Sequence, residues 1–362
     1  MRVLIADDSA FMRRMLTQLF ESGRGFEVVG TARNGADAVA KCAELDPDVV
    51  TLDVEMPEMD GLEALRRIRA ARGPVRPAVL MCSTLTEAGS RTALEALRLG
   101  ASDVIAKEHL GVGEDNTPFR TELLTKVRAI GMHMRAASRP VAKTEAPAAP
   151  PRRPKGDFGP EQFDLVVIGS STGGPPVLER IIEAITGDRG KPILIAQHMP
   201  SLFTRSLAGR LDAMCAAKVV LAEDGMTAET GHVYLAEGGK HLRVHRRYGR
   251  LLLEVSGEPA DALYKPSVNE LFASAASAVG PRALGVVVTG MGDDGLIGAT
   301  AMAQKGAPIV AQSAASCVVY GMPRAVTEAG ITAGSLDPVD LARLIAGAAG
   351  CGGPAEQIRK SA

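Results

Sequence analysis

The stretch "VVIGSSTGGPPVLERI", residues 166–181, decides how the second half of the chain is read. A run of β-branched residues ends in a Gly/Ser-rich turn, and a helix-like pattern follows. Strand, turn and helix in that order are the repeating unit of an open α/β sheet. The alternation continues outward through "PILIAQ", "AKVVLAED", "ALGVVVTG" and "PIVAQS", which read as strands separated by helices such as "SVNELFASAASAV" and "GLIGATAMAQKG". One segment, "GHVYLAEGGKHLRVHRRYGRLLLEVSG", breaks the rhythm with hairpin-like pieces around Gly238-Gly239 and Tyr248-Gly249. A last helix is expected near "DPVDLARLIAGAA". The prediction is a doubly wound, mainly parallel α/β domain over residues 161–350, with an antiparallel hairpin.

Residues 1–130 show a similar rhythm. "RVLIAD", "FEVVGTA", "DVVTLDV", "AVLMCS" and "DVIAK" each precede an amphipathic stretch, which predicts a (βα)5 domain with a parallel sheet. In its first helix Phe11, Met15, Leu16, Leu19 and Phe20 share one face at the 3.6-residue period. Between the two domains residues 131–160 are expected to form a linker. Its core, "AASRPVAKTEAPAAPPRRPKGDFGP", is Ala/Pro-rich, leans basic and lacks apolar periodicity. Residues 351–362 are expected to be a C-terminal tail.

Bulk properties narrow the function classes. The chain has 362 residues, enough for two or three domains that each bury a core. A net charge of -1 gives no reason to expect nucleic acid or an anionic membrane as partner, and scarce aromatics argue against base stacking. No apolar run reaches the length of a membrane span, and the N-terminus meets acids by Asp7 instead of reading as a signal peptide. The five cysteines are scattered without a C-x-x-C pair, which fits reduced thiols in the cytoplasm.

In the first domain Asp7 and Asp8 lie at the carboxyl end of the first strand and Asp53 ends the third. Strand carboxyl ends converge on the rim where ligands of open α/β sheets bind. Carboxylates crowded there repel one another and call for a hard divalent cation such as Mg²⁺. Ser83 ends the fourth strand and Lys107 the fifth, adding a hydroxyl and a cation. Carboxylate, metal, hydroxyl and ammonium together suit phosphoryl transfer to an Asp. The motifs "IADDSAFMR", "VVTLDVEMPEMDGLEAL" and "MCST", with Lys107, resemble the response-regulator receiver family in order and spacing. That resemblance implies Asp53 as phosphoacceptor, and Asp8, Asp53 and the Glu55 carbonyl on Mg²⁺ with Asp7 acting through water. It also implies Ser83 and Lys107 as sensors of the phosphoryl group. Two positions depart from the family: Glu108 stands where Pro usually follows the Lys, and Val104 occupies the aromatic switch position.

In the second domain residues 169–173 spell G-x-S-x-G: Gly169, Ser170, Ser171, Thr172, Gly173. Such a turn serves either as an elbow that lifts a nucleophilic serine or as a helix N-terminus that cradles phosphate. The other strand ends shift the balance. His198 follows the strand in "PILIAQHMP", and Asp293 and Asp294 follow the strand in "LGVVVTGMGDDG". A serine needs an imidazole to take its proton, and the imidazole needs a carboxylate to hold its tautomer. A His beside Met-Pro also fits a structural turn, and D-D-G a helix entry. His241 and His245 have H-x-x-x-H spacing, but on a strand they stand about 13 Å apart, too far to share one ion.

"IGSSTGGPPVL", "QHMPSLFTRSLAGRL", "GHVYLAEGGKHL", "KPSVNELFASAA", "VVTGMGDDGLIGA" and "AQSAASCVVYGMPRAV" resemble the catalytic domain of CheB-type protein-glutamate methylesterases across nearly all of residues 162–350. The resemblance implies Ser171 as nucleophile, His198 as general base and acid, and Asp294, not Asp293, as the orienting carboxylate. Thr172 and Met291 would line the site, and no cofactor is implied for the esterase reaction. One departure is Glu237, in a loop where that family usually reads Pro-Gly-Gly. The implied activity is hydrolysis of glutamate γ-methyl esters on membrane chemoreceptors, with deamidation of receptor glutamines alongside. A chemotaxis histidine kinase would be the phosphodonor, and the protein would be peripheral to the membrane receptors it modifies. A reading from a different class is a phosphorylation-gated binding module in which Ser171 and its glycines hold a ligand phosphate.

Overall fold

The computed structural model describes residues 1–73, 76–84, 86–107, 117–138 and 158–351, with side chains of 117–138 described through Met132. Most of the expected linker, Glu108 and residues 352–362 lie outside the described residues. The chain divides into two compact units, Met1–Glu145 and Ala146–Ala362, and each is described by itself.

The first unit alternates β1 (Arg2–Ala6), α1 (Ala10–Ser22), β2 (Glu27–Ala32), α2 (Gly35–Leu45), β3 (Val49–Asp53), α3 (Gly61–Arg72), β4 (Ala78–Ser83), α4 (Glu87–Arg98), β5 (Asp103–Ala106) and α5 (Thr117–Ser138). Its sheet runs β2-β1-β3-β4-β5, with every pairing parallel. All of β3 and β4 is buried, as expected for strands covered by helices on both faces. Helix starts are written locally: the side chains of Ser9, Asn34, Asp60 and Thr86 each cap the first turn of the helix that follows. Met15, Leu16 and Phe20 form the buried face of α1. Phe11, expected on that face, is 48% exposed, because it sits in the first turn at the open rim of the sheet. Helix α5 runs to Ser138, past the expected domain end at residue 130.

The second unit runs β6 (Leu165–Ser170), α6 (Gly174–Glu183), β7 (Ile193–Gln197), α7 (Ser201–Asp212), β8 (Lys218–Leu221) and β9 (His232–Leu235). After a hairpin of β10 (His241–Arg247) and β11 (Arg250–Ser256) come α8 (Val268–Val279), β12 (Ala283–Val287), α9 (Leu296–Gln304), β13 (Ile309–Gln312), α10 (Met322–Glu328), β14 (Thr332–Leu336) and α11 (Pro338–Ala349). Seven strands form one sheet in the order β14-β13-β12-β6-β7-β9-β8, parallel throughout. β10 and β11 form a separate antiparallel ribbon, turning at Tyr248-Gly249. The chain does not form the second hairpin expected at Gly238-Gly239. There β9 stays parallel in the large sheet, and the Gly238 N–H donates to Thr204 Oγ1 where the chain passes the Met199–Ser201 backbone. The start of the expected tail is packed: Cys351 is buried, and its carbonyl accepts from the Thr186 and Gly187 N–H groups.

Chain order reverses on either side of β6: the path runs outward through β7 and later returns to β12 on β6's other flank. Such a reversal opens a crevice at the strand carboxyl ends. Gly173, in the left-handed region at φ 76°, turns the chain from β6 into α6 beside that crevice.

Candidate active site

In the first unit the equivalent reversal falls between β1 and β3, the strands that deliver Asp7, Asp8 and Asp53. One oxygen from each of these carboxylates lies within 4.8 Å of the others, with Asp7 and Asp53 buried and Asp8 exposed. Lys107 Nζ bridges Asp7 and Asp53 at 2.7 Å each. Burial, with the charges of Asp7 and Asp8 adding to it, pushes the Asp53 carboxyl up to about 6 against the pull of Lys107. A hard-oxygen cluster with this much mutual repulsion fits a small divalent cation. An open cleft of about 550 Å³ adjoins it, lined by Asp8, Glu55, Met56, Pro57 and Asp60 among others. Ser83 is fully buried at the end of β4, and its carbonyl accepts from the Lys107 N–H at 2.8 Å. Val104 is buried in β5, where its carbonyl accepts from Lys126 Nζ, a group also paired with Asp103 and Glu122.

In the second unit three strand ends converge. Ser171 follows β6, His198 follows β7, and Asp294 stands beyond β12. His198 Nδ1 lies 3.2 Å from Ser171 Oγ, and Nε2 lies 2.8 Å from Asp294 Oδ2. A carboxylate only accepts, so Nε2 carries the ring proton and Nδ1 is left to accept from the Ser171 hydroxyl. The elbow is braced from behind: Ser171 N donates to the Thr289 carbonyl, and Gln197 Nε2 donates to the Ser171 and His198 carbonyls.

Asp294 is the more heavily built half of the pair. Its Oδ1 accepts from Ser267 Oγ and from the Asn269 and Gly295 N–H groups, and its Oδ2 accepts from the Val268 N–H as well as His198. These donors belong largely to the start of α8, so the carboxylate occupies a helix N-terminus. Burial works to raise its pKa, but the hydrogen bonds from His198, Val268 and Asn269 outweigh it and hold the group below the ordinary carboxylate range. Asp293, by contrast, is exposed. Thr172, directly after the serine, is buried, and Met291 is half-buried and next in sequence to one of the serine's packing neighbours.

One of those neighbours is Gly290. A Cβ there would come within 2.8 Å of Ser171 Cβ and 2.3 Å of Met322 Sδ. Met322 can swing away, but the Ser171 backbone cannot. Gly290→Ala is therefore expected to displace the serine by a fraction of an ångström and cut the reactivity of its hydroxyl on the order of tenfold or more, read as slower labelling by a fluorophosphonate.

Sequence reasoning missed Tyr264, whose ring stacks on His198 with centroids 4.4 Å apart. It stands in the loop before "KPSVNEL", and only its proximity to that motif hinted at the site. The two histidines with H-x-x-x-H spacing have separate partners. His241 is fully buried, its Nδ1 accepting from the Ser267 N–H, while His245 Nε2 meets Glu254 at 2.6 Å. Glu237, the departure in the loop after β9, pairs with Arg205 and Lys240.

Comparison with known proteins identifies the families of both units. Residues 166–345 match the family model described as CheB methylesterase, and residues 3–110 match that of the response regulator receiver domain. A protein-glutamate methylesterase/protein-glutamine glutaminase 1 of Oleidesulfovibrio alaskensis is 45% identical, over 95% of this chain and 98% of that protein. A protein-glutamate methylesterase/protein-glutamine glutaminase 2 of Nitratidesulfovibrio vulgaris is 43% identical, over 95% of this chain and 98% of its own. Among the described residues no helix is long and apolar enough to cross a membrane.

Proposed function

Because this chain belongs to the family of CheB methylesterases that carry a receiver domain, we propose that Ser171, His198 and Asp294 are the residues with which it performs that family's reaction. The chain is a phosphorylation-regulated protein-glutamate methylesterase and protein-glutamine glutaminase. The observation that supports the residue assignment is the unbroken line Ser171 Oγ, His198 Nδ1, His198 Nε2, Asp294 Oδ2, at 3.2 and 2.8 Å. A phosphate cradle needs neither a base nor an orienting carboxylate, so this line favours hydrolysis over simple binding.

The substrate is a glutamate γ-methyl ester on a chemoreceptor's cytoplasmic helix. Nδ1 of His198 takes the Ser171 proton as Oγ attacks the ester carbonyl. Backbone N–H groups near Thr172 and Met291 receive the developing oxyanion. The proton then passes from His198 to the leaving methoxide, releasing methanol. Water, deprotonated by the same nitrogen, clears the acyl-serine to leave a glutamate carboxylate. With glutamine the leaving group is ammonia and the residues play the same parts. Asp294 keeps the proton on Nε2 and balances the imidazolium that forms at each transfer.

In the receiver, Asp53 accepts the phosphoryl group from a chemotaxis histidine kinase. Asp8, Asp53 and the Glu55 carbonyl would hold Mg²⁺, with Asp7 acting through water. The ion would neutralise charge on the incoming phosphoryl group. Lys107, which bridges Asp7 and Asp53, and Ser83 would respond once Asp53 changes charge. The unphosphorylated receiver restrains the esterase and phosphorylation releases it, in a cytoplasmic protein peripheral to its membrane-bound substrates.

Methanol release from methylated receptor membranes tests both halves of this reading. The fragment from residue 158 onward should outperform the unphosphorylated full chain, and a small phosphodonor should close the gap. A restraint of about 1.5–3 kcal/mol corresponds to roughly a 10- to 150-fold difference. Equal rates with and without the receiver would remove the restraint from the reading.

A further inference from the structure

We propose that Tyr264 is a positioning residue for His198, acting through its ring and not its hydroxyl. The proposal rests on the assignment of Ser171, His198 and Asp294 made above. Two hydrogen bonds pin the imidazole at opposite nitrogens, one at Ser171 and one at Asp294. The ring's remaining tether, the Cβ–Cγ bond, is a swivel, so small changes in χ1 and χ2 still roll the ring about the line through those two bonds. A roll tips the Nδ1 lone pair out of the direction of the serine proton and weakens both hydrogen bonds together. The Tyr264 ring lies 4.4 Å from the imidazole, centroid to centroid, and only 6° from parallel. A flat ring against a flat ring opposes that roll.

The same contact changes character during the reaction. In the resting state it joins two neutral rings. When Nδ1 takes the serine proton the imidazole becomes a cation, and an aromatic face within about 6 Å then attracts it through its quadrupole. The attraction grows as positive charge grows, so it stabilises the transition state more than the bound substrate. The phenol makes no hydrogen bond among the described residues, and burial, with the charges of Asp294 and Asp293, raises its pKa, so it stays protonated. Nothing in the geometry requires the oxygen. Ring and hydroxyl can therefore be separated by substitution.

The test uses the full-length protein with a phosphodonor, measuring methanol release from methylated receptor membranes and the rate of Ser171 labelling by a fluorophosphonate. Tyr264→Leu should lower kcat about tenfold, with KM held within about twofold. Tyr264→Phe should restore most of the lost rate. In a His198→Ala background, Tyr264→Leu should cause no further loss of labelling, because its effect runs through the imidazole. A full kcat in Tyr264→Leu would overturn the proposal. So would a Phe variant as slow as the Leu variant, or a further loss in the His198→Ala background. If the Leu variant fails to fold, the Phe variant still decides: wild-type-like kcat supports the ring, and a tenfold loss assigns the role to the hydroxyl. Ser171→Ala serves as the reference. Should that variant keep its activity, the nucleophile assignment fails; should it be inactive while Tyr264→Leu is fully active, only the positioning role fails.

Discussion

Ser171→Ala is expected to lower ester hydrolysis by at least on the order of 10³-fold while leaving Asp53 phosphorylation at its normal rate. The size follows from what remains. Without Oγ there is no acyl-enzyme, and His198 and Asp294 have no proton to move from a nucleophile. Only binding and the oxyanion donors still favour the reaction over its rate in water. Phosphorylation is spared because Asp53, Lys107 and the acidic cluster belong to the other compact unit. Ser170→Ala is the matched control. Its hydroxyl is fully buried and has no hydrogen-bond partner among the described residues. Loss of that oxygen should therefore leave hydrolysis close to normal. Methanol release measured on both variants, with phosphate incorporation from a small donor alongside, checks the pair. Near-normal hydrolysis by Ser171→Ala would remove the serine from the mechanism.

Asp294→Asn should be nearly as damaging to activity, with a loss on the order of 10³- to 10⁴-fold. An amide of the same shape no longer forces the proton onto Nε2, so Nδ1 loses its place as acceptor for the serine. Unlike the serine variant, this one should also lose stability. Asp294 accepts from three backbone N–H groups, from Ser267 Oγ and from His198. An asparagine brings its own N–H₂ into that cage of donors and leaves some of them unpaired, at a cost of about 2–3 kcal/mol. The pH dependence has a definite sign. The fold holds the Asp294 carboxyl below its ordinary range. Its linked stability is therefore complete above about pH 4 and is lost as pH falls through the lowered value. Thermal melts of wild type and Asp294→Asn should differ most near neutrality and converge in acid. A constant difference at all pH values would show that the carboxylate charge carries none of the stability.

Much of this was legible in the sequence because a parallel sheet writes its strands plainly. "LVVIGS", "ILIAQ" and "ALGVV" are apolar on both faces, and each is followed within a few residues by a member of the proposed triad. The choice between Asp293 and Asp294 was not legible from the strand, since both lie just beyond it. It depends on which carboxylate reaches the start of α8, a contact made across about 25 residues of chain. Family resemblance chose Asp294, and the hydrogen bonds show why that position is buried. Tyr264 was hidden for a related reason. Nothing local marks a loop tyrosine as the neighbour of an imidazole that precedes it by some sixty residues, and only tertiary folding brings them together. The strand β14, "TAGSL", lacks a β-branched run and borrows its order from pairing with β13. Gly238-Gly239 reads as a hairpin turn, but glycine there serves close packing against the Met199–Ser201 backbone.

The pairing of β6 with β12 has a consequence in time as well as in space. Leu165 lies beside Ala283 and Gly169 beside Val287, so the strands that frame the crevice are separated by well over a hundred residues of intervening chain. Pairings this distant form late, because a long loop must close before the contact contributes anything. The receiver, whose last helix ends at Ser138, needs none of that later sequence. On a chain growing from its N-terminus the receiver can therefore fold before the hydrolytic centre exists. Stalled or truncated chains ending before β12 should accept phosphate yet release no methanol. The order of synthesis thus brings the controlling domain into being ahead of the activity it controls.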